Sequence, residues 1–335
     1  MSEEIKLNEV DDFFDLHYFS MNKKFQIFCG LWPLESGNMK YFKQGAMGAI
    51  IIANLILFFH ALRTFCGTNL DLCCENTVGL VYCITSFVKL IGISSAGGKF
   101  KGIYKMIARN WRDTTDEIEC SILEKYARIS KMLTRVYIVA FLMTGGIVTQ
   151  APAFPLLLNI IMPLNESRKA IAIVNTDYSI TPYTRFAHEW AHWSLSAIAI
   201  AAVFIAIDAT FVLIVFQILA TFEVVKQRIR QASSVENENS EQSYGILVKA
   251  VKLHKDAIEF LNLSNEANSL QFLVVLGGTI FNISLGSLAI LSRADAYADF
   301  ARIGILQLGY LFQLLVLCLL GELIISSSSE LFVIP

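Results

Sequence analysis

The chain has 335 residues, of which 55% are hydrophobic and 17% are charged. Its mean hydropathy of +0.53 is too high for a soluble protein of this length. The formal net charge is -2, and no basic stripe with interleaved aromatic residues occurs, which argues against nucleic-acid binding. The composition therefore indicates a protein that resides in a lipid bilayer.

Six apolar segments predict an all-α, polytopic transmembrane helical bundle. At about 1.5 Å per residue, each is long enough to cross a hydrocarbon core about 30 Å thick. Apolar residues at near-helical spacing in 244–268 also predict a helix that continues into the fifth span. We expect residues 1–335 to form a single transmembrane domain with spans at about 45–65, 77–96, 133–151, 191–222, 270–292 and 303–326.

The distribution of lysine and arginine predicts the orientation of the bundle. The N-terminal segment and the loops after the second and fourth spans carry twenty of the 27 Lys and Arg residues, whereas the other loops carry six. Positive loops face the cytoplasm, so the N-terminus is predicted to be cytoplasmic, which argues against a G-protein-coupled receptor. The sequon Asn165-Glu166-Ser167 then lies outside and is a glycosylation candidate, although Asn262-Leu263-Ser264 matches the same pattern on the predicted inside.

The seven cysteines are odd in number and lack metal-type spacing, so they indicate neither a disulfide framework nor a zinc ribbon. Cys66, Cys73 and Cys74 form the one cluster, which holds one loop bridge or none. Trp32 precedes the first span, where we expect its ring at the membrane interface and its N–H in contact with water.

The sequence His188-Glu189-Trp190-Ala191-His192 matches the H-E-x-x-H pattern of zinc proteases. On a helix, two histidines four residues apart bind zinc and the glutamate acts as general base. No downstream motif supplies a third ligand, and the alternative is an interfacial cluster in which Trp190, Trp193 and the histidines lie at headgroup level. We favour the interfacial cluster and expect no catalytic residues, metal or cofactor.

Two charged residues fall within the predicted spans. Asp208 lies at mid-membrane, where burying an ionisable group is energetically costly. Such a residue indicates either a functional role or a buried partner. For Asp208 we expect a polar contact inside the bundle. Lys89 lies nearer the cytoplasmic end of the second span, so we expect its ammonium group to extend to the interface.

The outer halves of the spans mix apolar and small polar side chains. Such a lining suits a small volatile or lipophilic ligand that is held by shape and one or two hydrogen bonds. Ordinary helix packing through small residues is the alternative for each position. The predicted ligand contacts are Tyr82, Ser86, Thr144, Ile147, Val148, Ser196, Ile200, Gln307 and Tyr310.

Three short motifs along the chain stand out. They are Gly30-Leu31-Trp32-Pro33, the helix with His254 before the fifth span, and Cys318-Leu319-Leu320-Gly321-Glu322-Leu323-Ile324 followed by residues 326–331. These motifs resemble those of the insect odorant receptors. The resemblance covers essentially the whole chain. The short serine-rich loop after the fourth span is more similar to an odorant-specific tuning subunit than to the shared co-receptor.

The resemblance implies a ligand-gated cation channel for olfactory transduction, formed as a heteromeric tetramer with the co-receptor. It implies a small volatile odorant in the outer-half pocket and a location in the plasma membrane of sensory-neuron dendrites. Members of this family have seven spans, whereas this sequence stops at Pro335, nine residues after Ser326, so we expect a truncation before the seventh span. A non-conducting or regulatory subunit is the alternative, and a zinc metalloprotease through His188, Glu189 and His192 is the distant one.

Overall fold

The computed structural model describes residues 6–150, 153–164, 168, 174, 182–235, 240–292 and 297–331. Within these residues the chain forms α-helices and no strand, which confirms the predicted all-α class. The helices are α1 (Leu7–Phe13), α2 (Ser20–Cys29), α3 (Asn38–Phe65), α4 (Leu70–Ser95), α5 (Gly97–Asp113), α6 (Glu117–Gln150), α7 (Phe154–Ile161), α8 (Pro182–Val235), α9 (Ser240–Ser292) and α10 (Tyr297–Glu330).

Six of the described helices, α3, α4, α6, α8, α9 and α10, are long and apolar enough to cross a membrane. The six predicted apolar segments lie along these same helices, so the prediction of six spans is confirmed. The exposed side chains along α10 include Leu308, Leu311, Leu315 and Leu319, which repeat every three or four residues. Such a stripe forms one continuous apolar face, as a lipid-facing helix requires.

Helix α8 is the centre of the bundle. In its most apolar stretch 89% of the residues are buried, compared with 22–33% of the residues in the corresponding stretches of the other five spans. A helix that is hydrophobic on all sides is typical of a protein core or of a membrane span, and the central stretch of α8 is apolar on all sides and packed among the other spans. Helices α2, α3, α4, α6, α9 and α10 all pack against α8, which therefore positions the side chains of every other span.

Two of the helices are much longer than a membrane is thick. Helices α8 and α9 have 54 and 53 residues, or about 80 Å each at 1.5 Å per residue. Both therefore continue beyond the bilayer, where α5 and the first turns of α6 pack beside them. The Arg228 guanidinium donates to both carboxylate oxygens of Glu119 at 2.6 and 2.7 Å and joins α8 to α6 there. The predicted helical continuation over 244–268 is confirmed by the unbroken α9.

The Gly-Leu-Trp-Pro motif fixes the N-terminal helices against α5. Gly30 ends α2 with a left-handed φ of 70°, and a Cβ there would lie 2.5 Å from the backbone oxygen of Lys40, so only glycine fits. The Trp32 ring is 2% exposed and stacks 5.0 Å from the ring of Tyr104. Its Nε1–H donates to Asp11 Oδ1 at 2.7 Å, so the prediction of a hydrated N–H is wrong. The reason is that α1 and α5 enclose this ring, which no pattern in the sequence indicates.

A disulfide between Cys66 and Cys73 joins the end of α3 to the start of α4, so the loop holds one bridge. Cys29, Cys74, Cys83, Cys120 and Cys318 are free thiols. Burial raises the pKa of Cys29 to about 12, which keeps this thiol protonated and unreactive.

Candidate ligand-binding site

A cavity of about 410 Å³ lies between α4, α6, α8 and α10, and Phe58 of α3 and Ala289 of α9 complete its wall. Most of the side chains around it are aliphatic or aromatic. The structure brings together in this wall the predicted contacts Tyr82, Thr144, Val148, Ser196, Ile200, Gln307 and Tyr310.

The remaining predicted residues lie elsewhere. Ser86 is fully buried beside the cavity and donates its hydroxyl to the backbone oxygen of Tyr82 at 2.7 Å. Ile147 is 41% exposed on the outer surface of α6, because successive helical residues point about 100° apart and its neighbour Val148 faces inward. Asn165, the glycosylation candidate, lies outside the described residues and stays a prediction.

Aromatic rings make the cavity wall rigid. The Tyr82 ring stacks on Phe204 with centroids 5.0 Å apart and meets Tyr310 edge-on at 5.8 Å. The Trp193 ring packs 5.3 Å from the ring of Phe58 at another part of the wall. Such ring pairs hold their partners in fixed orientations, so the shape of the cavity is largely preformed.

Sequence reasoning missed Trp193, which it assigned to an interfacial cluster. Trp193 precedes Ser196 by three residues and Ile200 by seven, the spacing of one helical face. All three residues line the cavity. The helical period along α8 would have identified Trp193 as a wall residue from the two contacts already predicted.

A buried polar network adjoins the cavity about 12 Å farther along α8 than Ile200, at 1.5 Å per residue. The Lys89 ammonium forms an ion pair with Asp208, and the Tyr137 hydroxyl donates to the same carboxylate. Gln313 donates its Nε2–H to Asp208 Oδ2 at 3.3 Å and also lines the cavity. The network therefore joins α4, α6, α8 and α10 at one carboxylate.

The expectation that Lys89 extends to the interface is wrong. The side chain of Lys89 is 2% exposed, and its Nζ lies 4.4 Å from the centroid of the Phe204 ring. Its partner Asp208 is 4% exposed, so the expected polar contact inside the bundle is found. Burying both charges is tolerable because each compensates the other and hydrogen bonds occupy the second carboxylate oxygen.

Residues 69–332 match the sequence model of a family described as 7tm Odorant receptor. The chain belongs to this odorant receptor family. The match covers α4 to α10 and therefore includes the cavity helices and the buried network, while α1 to α3 precede it. The described part of this receptor contains six candidate spans.

Two solved structures of the insect olfactory receptor OR5 from Machilis hrabei are similar to this receptor. The structure in complex with eugenol has a TM-score of 0.69 at 12% sequence identity and covers 92% of this chain and 80% of OR5. The second OR5 structure has a TM-score of 0.66 at 12% identity, with 95% and 83% covered. At this identity the likeness shows a shared fold. No curated protein sequence matches the chain.

The H-E-x-x-H residues of the receptor lie on α8 with different exposures. His188 is exposed, Glu189 is 4% exposed and His192 is half-buried. In the described part of the receptor, one group of three His, Cys, Asp or Glu residues brings its ligand atoms within 4.8 Å of one another, and this motif does not belong to it. The odorant receptor family is not an enzyme family, so the family match does not favour the protease alternative.

That group consists of Asp11, Asp12 and Asp15 in the N-terminal segment. Lys23 Nζ lies 3.0 Å from Asp11 Oδ2 and 2.8 Å from Asp15 Oδ1. Burial lowers the pKa of Lys23, but hydrogen bonds and charge attraction to Asp15 and Asp11 outweigh it, so the pKa is raised overall. Asp11 and Asp15 thus serve as partners of a lysine, which accounts for the proximity of these two carboxylates.

A second cavity, of about 700 Å³, lies between α5, α6, α8 and α9 in the part of the receptor that extends beyond the spans. Charged residues of both signs line it, and several of them pair with each other. Arg228 binds Glu119, and Arg109 lies 3.6 Å from Asp256. Because charged and polar side chains form much of the lining of the second cavity, the first cavity is the better candidate for a ligand of low polarity.

Proposed function

We propose that this chain is an odorant-binding subunit that forms a ligand-gated cation channel together with a co-receptor. The observation that supports the proposal is the apolar cavity of about 410 Å³ between four spans of an odorant receptor fold. Pockets for small molecules have volumes of roughly 300–1,000 Å³ and are mostly apolar. Transfer of a lipophilic molecule into such a cavity is favourable by about 25 cal/mol for each Å² of apolar surface removed from water.

The position of the cavity supports access from outside the cell. Its α8 residues, Trp193 to Ala201, lie toward the end of the bundle opposite to the long extension with Arg228 and Lys226. The excess of lysine and arginine at that extension favours a cytoplasmic location for it, so the cavity lies in the outer half. A multi-pass protein in the plasma membrane of a sensory dendrite would then present the cavity to external odorants.

The buried network provides a route from ligand binding to helix rearrangement. Gln313 belongs both to the cavity wall and to the hydrogen bonds around Asp208. A ligand that contacts Gln313 differently in two arrangements of α10 binds one arrangement more tightly and therefore stabilises it. Only such a difference in affinity shifts the channel between closed and open states. The same carboxylate binds α4 and α6, so those helices respond together with α10.

Whole-cell recording tests the proposal. We expect cells that express this chain with the co-receptor to show odorant-evoked cation currents that are absent from cells with the co-receptor alone. Epitope tags report surface expression and co-purification. Absence of current across a broad odorant panel, with assembly and surface expression confirmed, would contradict the role of a channel subunit.

A further inference from the structure

A groove of about 430 Å³ lies between α3 and α4 at the periphery of the bundle. One face of each helix forms it, since its residues recur every three or four positions along both helices. These residues are Tyr41, Gln44, Gly45 and Gly48 of α3, and Phe87, Leu90, Ile91, Ser94 and Ser95 of α4. Tyr41 and Ile91 are exposed, so the groove opens toward the lipid that surrounds the spans.

Glycine residues leave the α3 side of the groove open. A Cβ added at Gly45 finds no atom of the described chain within 4 Å, and one at Gly48 meets only Leu90 Cδ2, at 3.8 Å. The groove therefore has room beside the helix backbone. Its volume is comparable with that of pockets that hold drug-sized molecules, so a segment of one acyl chain fits in it.

Two lysines lie at the end of the groove where α3 begins and α4 ends. Lys40 precedes Gln44 by one turn on the same face of α3. Lys101 belongs to α5, which begins two residues after α4 ends. The ammonium groups of Lys40 and Lys101 are close enough to repel each other. The groove thus runs from an apolar stretch along the spans to a positively charged end.

The protein does not balance the charge of these lysines. Neither Lys40 nor Lys101 has a carboxylate within 4.0 Å in the described part of the chain. Glu35 attracts Lys40, but its Oε1 already accepts from Lys43 Nζ at 2.7 Å. The ammonium groups therefore outnumber the carboxylates here, and an excess of positive charge is left at this end of the groove.

We propose that the groove binds an anionic phospholipid, with one acyl chain between α3 and α4 and the negative headgroup at Lys40 and Lys101. The distribution of lysine and arginine assigns this end of the bundle to the cytoplasm. Anionic lipids concentrate in the cytoplasmic leaflet, and basic pockets between spans bind their headgroups there. The rings of Tyr41 and Phe42 are exposed near the start of α3, as aromatic side chains at headgroup level are.

Two other occupants use only part of this site. A zwitterionic phosphatidylcholine has the same acyl chains but brings its own ammonium group to the lysines. A free anion binds the lysines without using the groove. The occupant that uses both features has an acyl chain and a headgroup of net negative charge. The site shares no residue with the odorant cavity, so the inference does not depend on the proposed function.

Lipid titration of the purified full chain in detergent micelles tests the proposal. Dioleoyl phosphatidylserine and dioleoyl phosphatidylcholine are probes with the same acyl chains, whereas glycerophosphoserine and inorganic phosphate are probes without acyl chains. The readout is the ligand-dependent rise in melting temperature, from which an apparent Kd follows by mass action. Comparing the wild type with a variant for one lipid cancels the partitioning of that lipid into micelles.

We expect the wild type to bind phosphatidylserine at least about tenfold more tightly than phosphatidylcholine. Lys40→Gln and Lys101→Gln each weaken binding of phosphatidylserine about fivefold and leave that of phosphatidylcholine within about twofold. Lys255→Gln is the matched control, because it removes the same charge from an exposed lysine of α9 outside the groove, and it leaves both affinities unchanged. Gly45→Leu fills the groove and weakens both lipids at least about threefold.

Equal binding of the two lipids by the wild type would overturn the inference, as would stabilisation by neither of them. An equal effect of Lys255→Gln and Lys40→Gln would overturn it as well, since the attraction would then be one of overall charge. Equal stabilisation by inorganic phosphate or glycerophosphoserine would assign the lysines to a free anion instead of a lipid.

Two further variants separate the parts of the proposed site. Unchanged lipid binding in Gly45→Leu would place the acyl chain elsewhere and contradict the proposal. Lys40→Arg keeps the charge, so we expect it to keep the preference for phosphatidylserine and thereby to distinguish the loss of charge in Lys40→Gln from a folding defect. Loss of the preference in a folded Lys40→Arg variant would show that charge at this position does not select the lipid.

Discussion

Replacement of Asp208 by alanine is expected to destabilise the receptor strongly. The substitution leaves the Lys89 ammonium buried without its counter-ion and removes the acceptor for Tyr137 and Gln313. Removing one partner of a buried ion pair costs about 3–5 kcal/mol. We expect a marked loss of surface expression and a lower melting temperature in fluorescence-detected size-exclusion experiments.

The double variant Lys89→Met with Asp208→Leu distinguishes the loss of a charge partner from the loss of packing. Replacing both members of a buried pair by apolar residues of similar volume is often neutral or even stabilising, so the double variant should recover most of the stability. Glu124→Ala is the control, because it removes the partner of Arg128 at 2.8 Å on the exposed surface, where such pairs contribute about 0–1 kcal/mol. If the double variant is less stable than Asp208→Ala, the unpaired buried charge is not the cause of the stability that Asp208→Ala loses.

Filling the cavity from α6 is expected to abolish or strongly weaken the odorant response. Gly145 lines the cavity and its neighbour Gly146 does not, yet a Cβ added at either position meets no atom within 4 Å. Leucine is the better helix former at both positions by up to about 1 kcal/mol, so neither substitution should impair folding. The pair therefore differs mainly in whether the added side chain occupies the ligand volume.

We expect Gly145→Leu to raise the half-maximal odorant concentration at least about tenfold, and Gly146→Leu to leave it within about threefold of the wild type. The measurement is a concentration–response series of whole-cell currents, normalised to surface expression of each variant. Equal responses of the two variants would place the ligand elsewhere in the receptor.

The length and apolarity of the segments were sufficient to predict the six spans, because a helix needs about 20 apolar residues to cross a bilayer and few soluble elements have so many. The ends of each span indicate how deep a residue lies in the membrane, and we predicted ligand contacts from this depth. Tyr82, Thr144 and Tyr310 are among them, and the structure places all three in one cavity.

The rotation of each helix could not be predicted in the same way. Ile147 and Val148 lie at nearly the same depth, but one faces outward and the other lines the cavity, and only packing against α8 and α10 decides between them. The pairing of Lys89 with Asp208 joins residues 119 positions apart. The sequence shows that Lys89 and Asp208 are charged residues within apolar spans, where a charge is energetically costly. It does not show that they are partners, because their pairing depends on how α4 packs against α8.

The position of a bound ligand is most directly measured by photolabelling. A diazirine derivative of an agonist, activated on the complex with the co-receptor, marks the residues that it touches, and mass spectrometry identifies them. We expect labels on cavity residues of α4, α6, α8 and α10, such as Tyr82, Thr144, Ile200 and Tyr310, which an excess of unlabelled agonist suppresses. Agonist-suppressed labels confined to outward-facing residues such as Leu311 and Leu315, or to the second cavity, would contradict ligand binding between these four spans.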